Sequence, residues 1–206
     1  MNLFSKHPLA WKYRTLFIEK GINTPLRLAH FFAQNKHEAN LKPKRESLNY
    51  SVAGLINTFG RHRITLEQAN KYGRKAGQSA NQRAIANIVY GGEWGKRNLG
   101  NIKPDDGWRF RGGGGFQTTG RYNYKKLSQR TGIDFENNPE LIETEVNSLI
   151  AAIDYWNERN LNHWADQDNV LAISQIINFG SRKGNAKPNG WNDRVKWANH
   201  YKKLFQ

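Results

Sequence analysis

The sequence predicts a mainly α-helical fold built as one domain, and three observations predict it. Apolar residues recur at helical spacing through most of the chain. Several of these runs open on a serine or threonine able to cap them. One long stretch, from Asn98 to Gly120, abandons the pattern for glycine, aspartate and aromatics. With 206 residues, 37% of them hydrophobic, the chain can bury one good core and lies within the usual size of a single domain.

Taken in order, Thr24 followed by Pro25 is an N-cap with proline at the first helical position. Leu28, Phe31 and Phe32 continue at helical spacing, so His37 and Glu38 fall near that helix's end. Ser51 caps a short helix carrying Val52, Leu55, Ile56 and Phe59, and Thr65 caps another with Leu66, Ala69 and Tyr72. Gln82 to Val89 is a third, apolar at Ala84, Ile85, Ile88 and Val89. Beyond it, Trp108 and Phe110 alternate with Arg109 and Arg111, which predicts a short strand or hairpin inside a largely irregular segment. Helices resume over Tyr124 to Arg130, over Pro139 to Asn160 with Leu149, Ile150, Ile153, Tyr155 and Trp156, and over Val170 to Ile177. Gly180 to Gly190 reads as a loop by composition. The last helix, Asn192 to Phe205, sets Val195, Leu204 and Phe205 against Lys196, Lys202 and Lys203. No internal repeat or linker interrupts the chain.

Composition narrows the function. Zero cysteines exclude disulfides and cysteine-ligated metals. No run of roughly 18 apolar residues offers a membrane span. Met1 to Pro8 lacks the apolar block of a secretory signal, so synthesis in the cytoplasm is expected. Lys and Arg number 32 against 17 Asp and Glu, a net charge of +15, with a pI near 10.1. Such a surface attracts polyanions, and anionic wall or outer-membrane polymers are the expected partners, with the basic last helix one means of engaging them. Nucleic acid is not expected, because basic and aromatic residues are scattered rather than gathered on one element.

Several chemistries fail on specific residues. A zinc hydrolase needs a pair such as His-Glu-x-x-His, and Leu41 stands in the last place after His37-Glu38. The run Gly112 to Gly115 is followed by no Gly-Lys-Ser/Thr, which argues against a phosphate loop. No Gly-x-Ser-x-Gly nucleophile occurs. No metal or cofactor is expected.

What remains is a pair of carboxylates, Glu38 and Glu46, upstream of the polar glycine-rich run Gly112 to Tyr124. Cleaving an acetal between two sugars needs a protonated carboxylic acid on the leaving oxygen and an ionised carboxylate that drives water or attacks the ring. Glu38 directly follows a Phe- and Leu-rich helix, where partial burial favours an acid. Glu46 lies in the basic stretch Lys42 to Arg45, which favours a base. The glycine run is expected to give a backbone flat enough for a sugar to lie against. From position alone, Glu38 reads first as a helix-end glutamate in water, and Glu46 reads also as a surface partner of Lys44 or Arg45.

Ordered pieces of the sequence remove part of that ambiguity. They are Phe31 to Gln34 leading into His37-Glu38, Glu46-Ser47-Leu48-Asn49-Tyr50-Ser51, and Ala86 to Gly92. Asp106 to Gly112, Gln117 to Tyr124, and Ile176 to Gly180 complete the set. Together, over about Thr24 to Arg194, they resemble glycoside hydrolase family 19, the chitinase-like group, and in particular its short phage-type endolysins.

The resemblance implies a lysozyme-like, chitinase-like single helical domain with a small hairpin or irregular lobe and a substrate cleft. It implies Glu38 as general acid and Glu46 as the base activating water on the opposite face, with inversion, for which such pairs stand roughly 6.5–9.5 Å apart. Thr119 matches a hydroxyl that holds that water; Gln117, Asn123 and Asn178 match sugar-contacting amides. Tyr122 leads Tyr90 and Trp108 as candidates for stacking on sugar faces. From the residues alone Thr119 also reads as a cap for the helix after it, and Asn178 as a C-terminal cap before Gly180. The sequence departs from the family pattern in three places. The segment after His37-Glu38 is a residue shorter, Gly113 stands where an arginine is frequent, and Asn178-Phe179-Gly180 replaces Asn-Gly-Gly.

The expected substrate is the β-1,4-linked N-acetylated amino sugar strand of peptidoglycan, cut by a monomer that reaches the wall after holin-type release. A chitinase of the same fold, a non-catalytic wall-binding module, and a lytic transglycosylase are the alternatives.

Overall fold

A computed structural model describes residues 2–206 of the protein. In chain order its α-helices are α1 (Pro8–Lys12), α2 (Arg14–Glu19), α3 (Pro25–Ala39), α4 (Val52–Phe59), α5 (Leu66–Tyr72), α6 (Gln82–Val89) and α7 (Gly92–Leu99). They continue with α8 (Asp106–Arg109), α9 (Arg121–Thr131), α10 (Glu145–Glu158), α11 (Leu161–Asp166), α12 (Val170–Phe179) and α13 (Trp191–Phe205). Single 3-10 turns cover Leu3–Lys6 and Pro139–Glu143. Among the described residues extended pairing is confined to isolated bridges, and no helix is long and apolar enough to cross a membrane.

Backbone packing divides the chain into two compact units. Unit 1 combines the chain up to Lys42 with Leu149–Gln206, and unit 2 is the continuous stretch Pro43–Ser148. The boundary falls within α10.

In unit 1, α3 starts as the sequence dictates: Thr24 Oγ1 accepts from Arg27 N at 3.3 Å and Pro25 occupies the first turn. Its end is a left-handed (αL) closure. Asn40 sits in the left-handed region at φ 55°, its N–H reaches Lys36 O at 2.9 Å, and Leu41 N reaches Asn35 O at 3.4 Å. Between these ends every residue from Leu28 to Asn35 is buried, so α3 is a core helix, and it packs along α13. Aromatics fill the core. Phe31 meets Phe17 and Trp156 edge-on, both at 5.4 Å, and Phe32 meets Phe205 at 5.6 Å. Each fully buried ring contributes about 2–3 kcal/mol of transfer free energy.

Unit 2 packs α4, α5 and α6 around Leu48, Leu55, Ile64, Ala69, Ile85, Ala86 and Val89. Its helices also start where local chemistry satisfies their first N–H groups. Ser51 Oγ accepts from Gly54 N at 3.1 Å. Thr65 and Gln68 form a reciprocal capping box. Asn81 Oδ1 accepts from Ala84 N at 3.0 Å.

Two expectations need correction. The alternation at Trp108 to Arg111 forms no strand; Asp106–Arg109 is a helical turn. The amides that strand pairing would use are taken otherwise: Asn87 Oδ1 accepts from Trp108 N at 2.7 Å, and the Asp105 and Asp106 carbonyls accept from Arg109 N and Phe110 N, both at 2.9 Å. The bridge that does form lies further on, between Gly113 and Thr118. Pro139 to Asn160 is likewise not one helix, because Thr144 is extended at ψ 152° and separates the 3-10 turn from α10.

Candidate active site

In unit 2 the chain around Glu46 is held from below. Arg45 turns inward: it donates to Tyr124 Oη at 2.6 Å and to Arg109 O at 2.7 Å, and pairs with Glu143 at 3.3 Å. With Arg45 so placed, Glu46 faces the other way and is half-buried. Its partners are Tyr90, whose hydroxyl donates to Oε1 at 2.6 Å, and the Gly112 N–H, which donates to Oε2 at 3.2 Å. Both carboxylate oxygens of Glu46 thus meet a donor, one a phenol and one a backbone amide.

The glycine run is buried from Gly112 to Gly115 rather than laid open as a flat surface. Its small size serves close packing. A Cβ on Gly113 would stand 2.5 Å from Tyr124 Oη, 2.8 Å from an Ile142 methyl and 3.1 Å from Arg45 Nη1. The arginine frequent in the family at this position has no room here, because the guanidinium of Arg45 already occupies the space. Gly112 separates Glu46 from Gln117: a Cβ there would stand 2.7 Å from Gln117 Oε1 and 3.4 Å from Glu46 Oε2. The fold thus brings Gln117 beside Glu46.

Gln117 adopts φ 53°, a left-handed conformation rare outside glycine and asparagine, and its Nε2 donates to Gly114 O at 3.1 Å. Thr119 Oγ1 donates to Gln117 O at 2.9 Å, and Asn123 Nδ2 donates to Thr119 O at 2.7 Å. Thr119 does not cap α9; Gly120 holds that position. Tyr122 is 52% exposed, with Lys126 Nζ 4.5 Å from its ring centre. Trp108 is a poorer stacking candidate than expected, since it packs on the unit 2 core and the Arg111 guanidinium lies 3.5 Å over its ring. Tyr90 also packs on that core, edge-on to Phe59 at 6.1 Å.

In unit 1, Glu38 ends α3 with 22% of its side chain exposed, and its Oε1 accepts from Arg194 Nη2. Its side chain is partly buried, and a guanidinium is among its neighbours. Arg194 is 1% exposed and also donates to Gln34 Oε1 at 2.6 Å and to Asn189 O at 2.9 Å. Asn189 N in turn donates to Asn178 Oδ1 at 3.0 Å. Glu38 and Asn178 are thereby joined through Arg194 and Asn189. Asn178 is held in this way, and the left-handed Gly180 closes α12 at φ 78°. His37 Nδ1 lies 2.7 Å from Asp193 Oδ2, consistent with a packing and hydrogen-bonding role.

Sequence reasoning missed Arg194, Gln34 and the hydroxyl contact of Tyr90. The available signal for the first was its helical spacing with Ala198, Tyr201 and Phe205, which puts an arginine on the buried stripe of α13. Among the described residues no three His, Asp or Glu side chains gather as metal ligands.

A protein of Haemophilus influenzae described as a glycosyl hydrolase family 19 domain-containing protein is 34% identical over 166 residues, covering 79% of this chain and 76% of that protein. This chain belongs to glycoside hydrolase family 19. No family model matches the sequence. Membership supports glycosidase-type hydrolysis in general, and a carboxylate presented by two donors beside polar amides is suited to such work.

Proposed function

We propose that this family 19 chain is a peptidoglycan-degrading endolysin that hydrolyses β-1,4 bonds between N-acetylated amino sugars without a cofactor. The observation that carries the reading is Glu46, a half-buried carboxylate with one donor on each oxygen, next to Gln117. Glu38 gives its proton to the leaving glycosidic oxygen as the C1–O bond breaks. Glu46 takes a proton from water as the water oxygen bonds C1 from the opposite face, leaving an inverted hemiacetal. Because the Thr119 hydroxyl proton is committed to Gln117 O, its oxygen is left as an acceptor for the second proton of that water. Gln117, Asn123 and Asn178 offer amide oxygens or nitrogens to acetamido and hydroxyl groups, and exposed Tyr122 offers a ring face to a sugar.

Peptidoglycan is favoured over chitin by charge. A net +15 is drawn to the acidic peptide stems and anionic polymers of a wall, and chitin carries no such charge. In this reading the enzyme works as a monomer on the wall side after holin-type release.

Digestion of purified peptidoglycan with mass analysis of the fragments tests the reading. Reducing ends are expected. Terminal 1,6-anhydro sugars would instead indicate a lytic transglycosylase, and soluble sugars from chitin with intact walls a chitinase. Glu38→Gln and Glu46→Gln are each expected to lose about a hundredfold or more in kcat, and parental activity in Glu38→Gln would remove the mechanism.

A further inference from the structure

We infer that Tyr90 is the positioning residue for the Glu46 carboxylate, an inference that rests on Glu46 being the general base. A base must present a free lone pair along one line, and a glutamate with three free torsions does not hold such a line unaided. Here two segments fix it: Tyr90 Oη donates to Oε1 at 2.6 Å, and Gly112 N donates to Oε2 at 3.2 Å. An ionised carboxylate has about four lone-pair sites, so two donors leave two for water.

Residue 90 is itself fixed on every side. It caps α6, with its N–H on Ala86 O at 2.9 Å, and its carbonyl accepts from Asn101 Nδ2 at 2.8 Å. Helix α7, which starts two residues on, lies so close that a Cβ on Gly95 would stand 2.0 Å from the Tyr90 carbonyl oxygen. The next carbonyl back, Val89 O, accepts from Arg63, whose guanidinium lies 3.1 Å over the Trp94 ring. The ring edge meets Phe59. Burial, followed by the neighbouring Glu46 charge, pushes the phenol far above the ordinary tyrosine range, so it stays a donor at any working pH. The Tyr90-Gly91-Gly92 turn is therefore a rigid mount for one hydroxyl, and that hydroxyl serves Glu46.

The test is Tyr90→Phe, which keeps the ring and its packing on Phe59. Rates on purified peptidoglycan are measured from pH 4 to 9, with parental melting confirming the fold. We expect kcat to fall about ten- to a hundredfold with KM little changed. The acidic limb of the rate profile should move to higher pH, because a donor to the ionised form is gone. Adding Tyr90→Phe to Glu46→Gln should cause little further loss, since both act on one group. A parental kcat and limb in Tyr90→Phe, or losses that simply multiply in the double variant, would overturn the inference while the hydrolase reading stands. Parental activity in Glu46→Gln would overturn both.

Discussion

Replacing Arg194 with Met removes a buried three-way tie while keeping most of the side-chain volume. The guanidinium, 1% exposed, donates to Gln34 Oε1 at 2.6 Å, to Asn189 O at 2.9 Å and to Glu38. Gln34 is fully buried, so its oxygen loses that donor where water does not replace it; an orphaned buried acceptor costs about 1–3 kcal/mol. Breaking a buried ion pair from one side costs about 3–5 kcal/mol, but Glu38 is 22% exposed and partly rehydrates. The combined loss should be about 3 kcal/mol, which for a chain of this size lowers the melting temperature by about 6–12 °C. Urea unfolding followed by near-ultraviolet circular dichroism reports it, since Trp156 and Phe31 lie in the same core. Arg194→Lys keeps a charge without the fork and should recover only part of the loss. A loss under about 1 kcal/mol for Arg194→Met would show that the network is not structural.

Three further outcomes follow from groups in the two units. Asp106 is buried, which alone would raise its pKa, but the Arg121 fork and the amides of Lys103 and Ile102 hold it below the usual carboxylate range. A depressed folded value stabilises above the unfolded pKa near 3.9 and is lost as pH falls through the folded one, so Asp106→Asn should destabilise at pH 7 and flatten acid unfolding below pH 4. His30 is held below its ordinary value by burial, against the opposing hydrogen bond and charge of Asp168, so stability should fall as pH drops below about 6.5. His30→Phe should reduce that slope between pH 7 and 5 in thermal melts. Gly95→Ala drives a methyl into the Tyr90 carbonyl and should cost about 2 kcal/mol or more, visible as a lower urea midpoint.

The helices were legible because their starts are local. Thr24, Ser51 and Thr65 each cap the residues that immediately follow, so a reading of short windows finds them. The segment from Trp108 to Arg111 misled because its alternation is real but its first amide is claimed by Asn87, a partner fixed by packing, and the next two by the Asp105 and Asp106 carbonyls of a helical turn. Helix α7 escaped notice because three glycines, Gly92, Gly95 and Gly100, dilute any helical pattern, whereas Gly95 is small so that α7 can lie close to the Tyr90 carbonyl. Of the candidate site, the residue types were legible and their partners were not. Glu46 meets a tyrosine 44 positions away and Glu38 an arginine 156 positions away, and no local pattern encodes such pairs.

That last separation bears on how the protein is made. Unit 2 is one uninterrupted stretch, whereas unit 1 needs α13 to close over α3. A ribosome adding about 5–20 residues each second delivers α13 on the order of ten seconds after α3. Until then the ring of Phe32 waits for Tyr201 and Phe205, and Glu38 waits for Arg194. The nascent chain therefore carries Glu38 without its Arg194 contact until α13 has emerged and packed on α3.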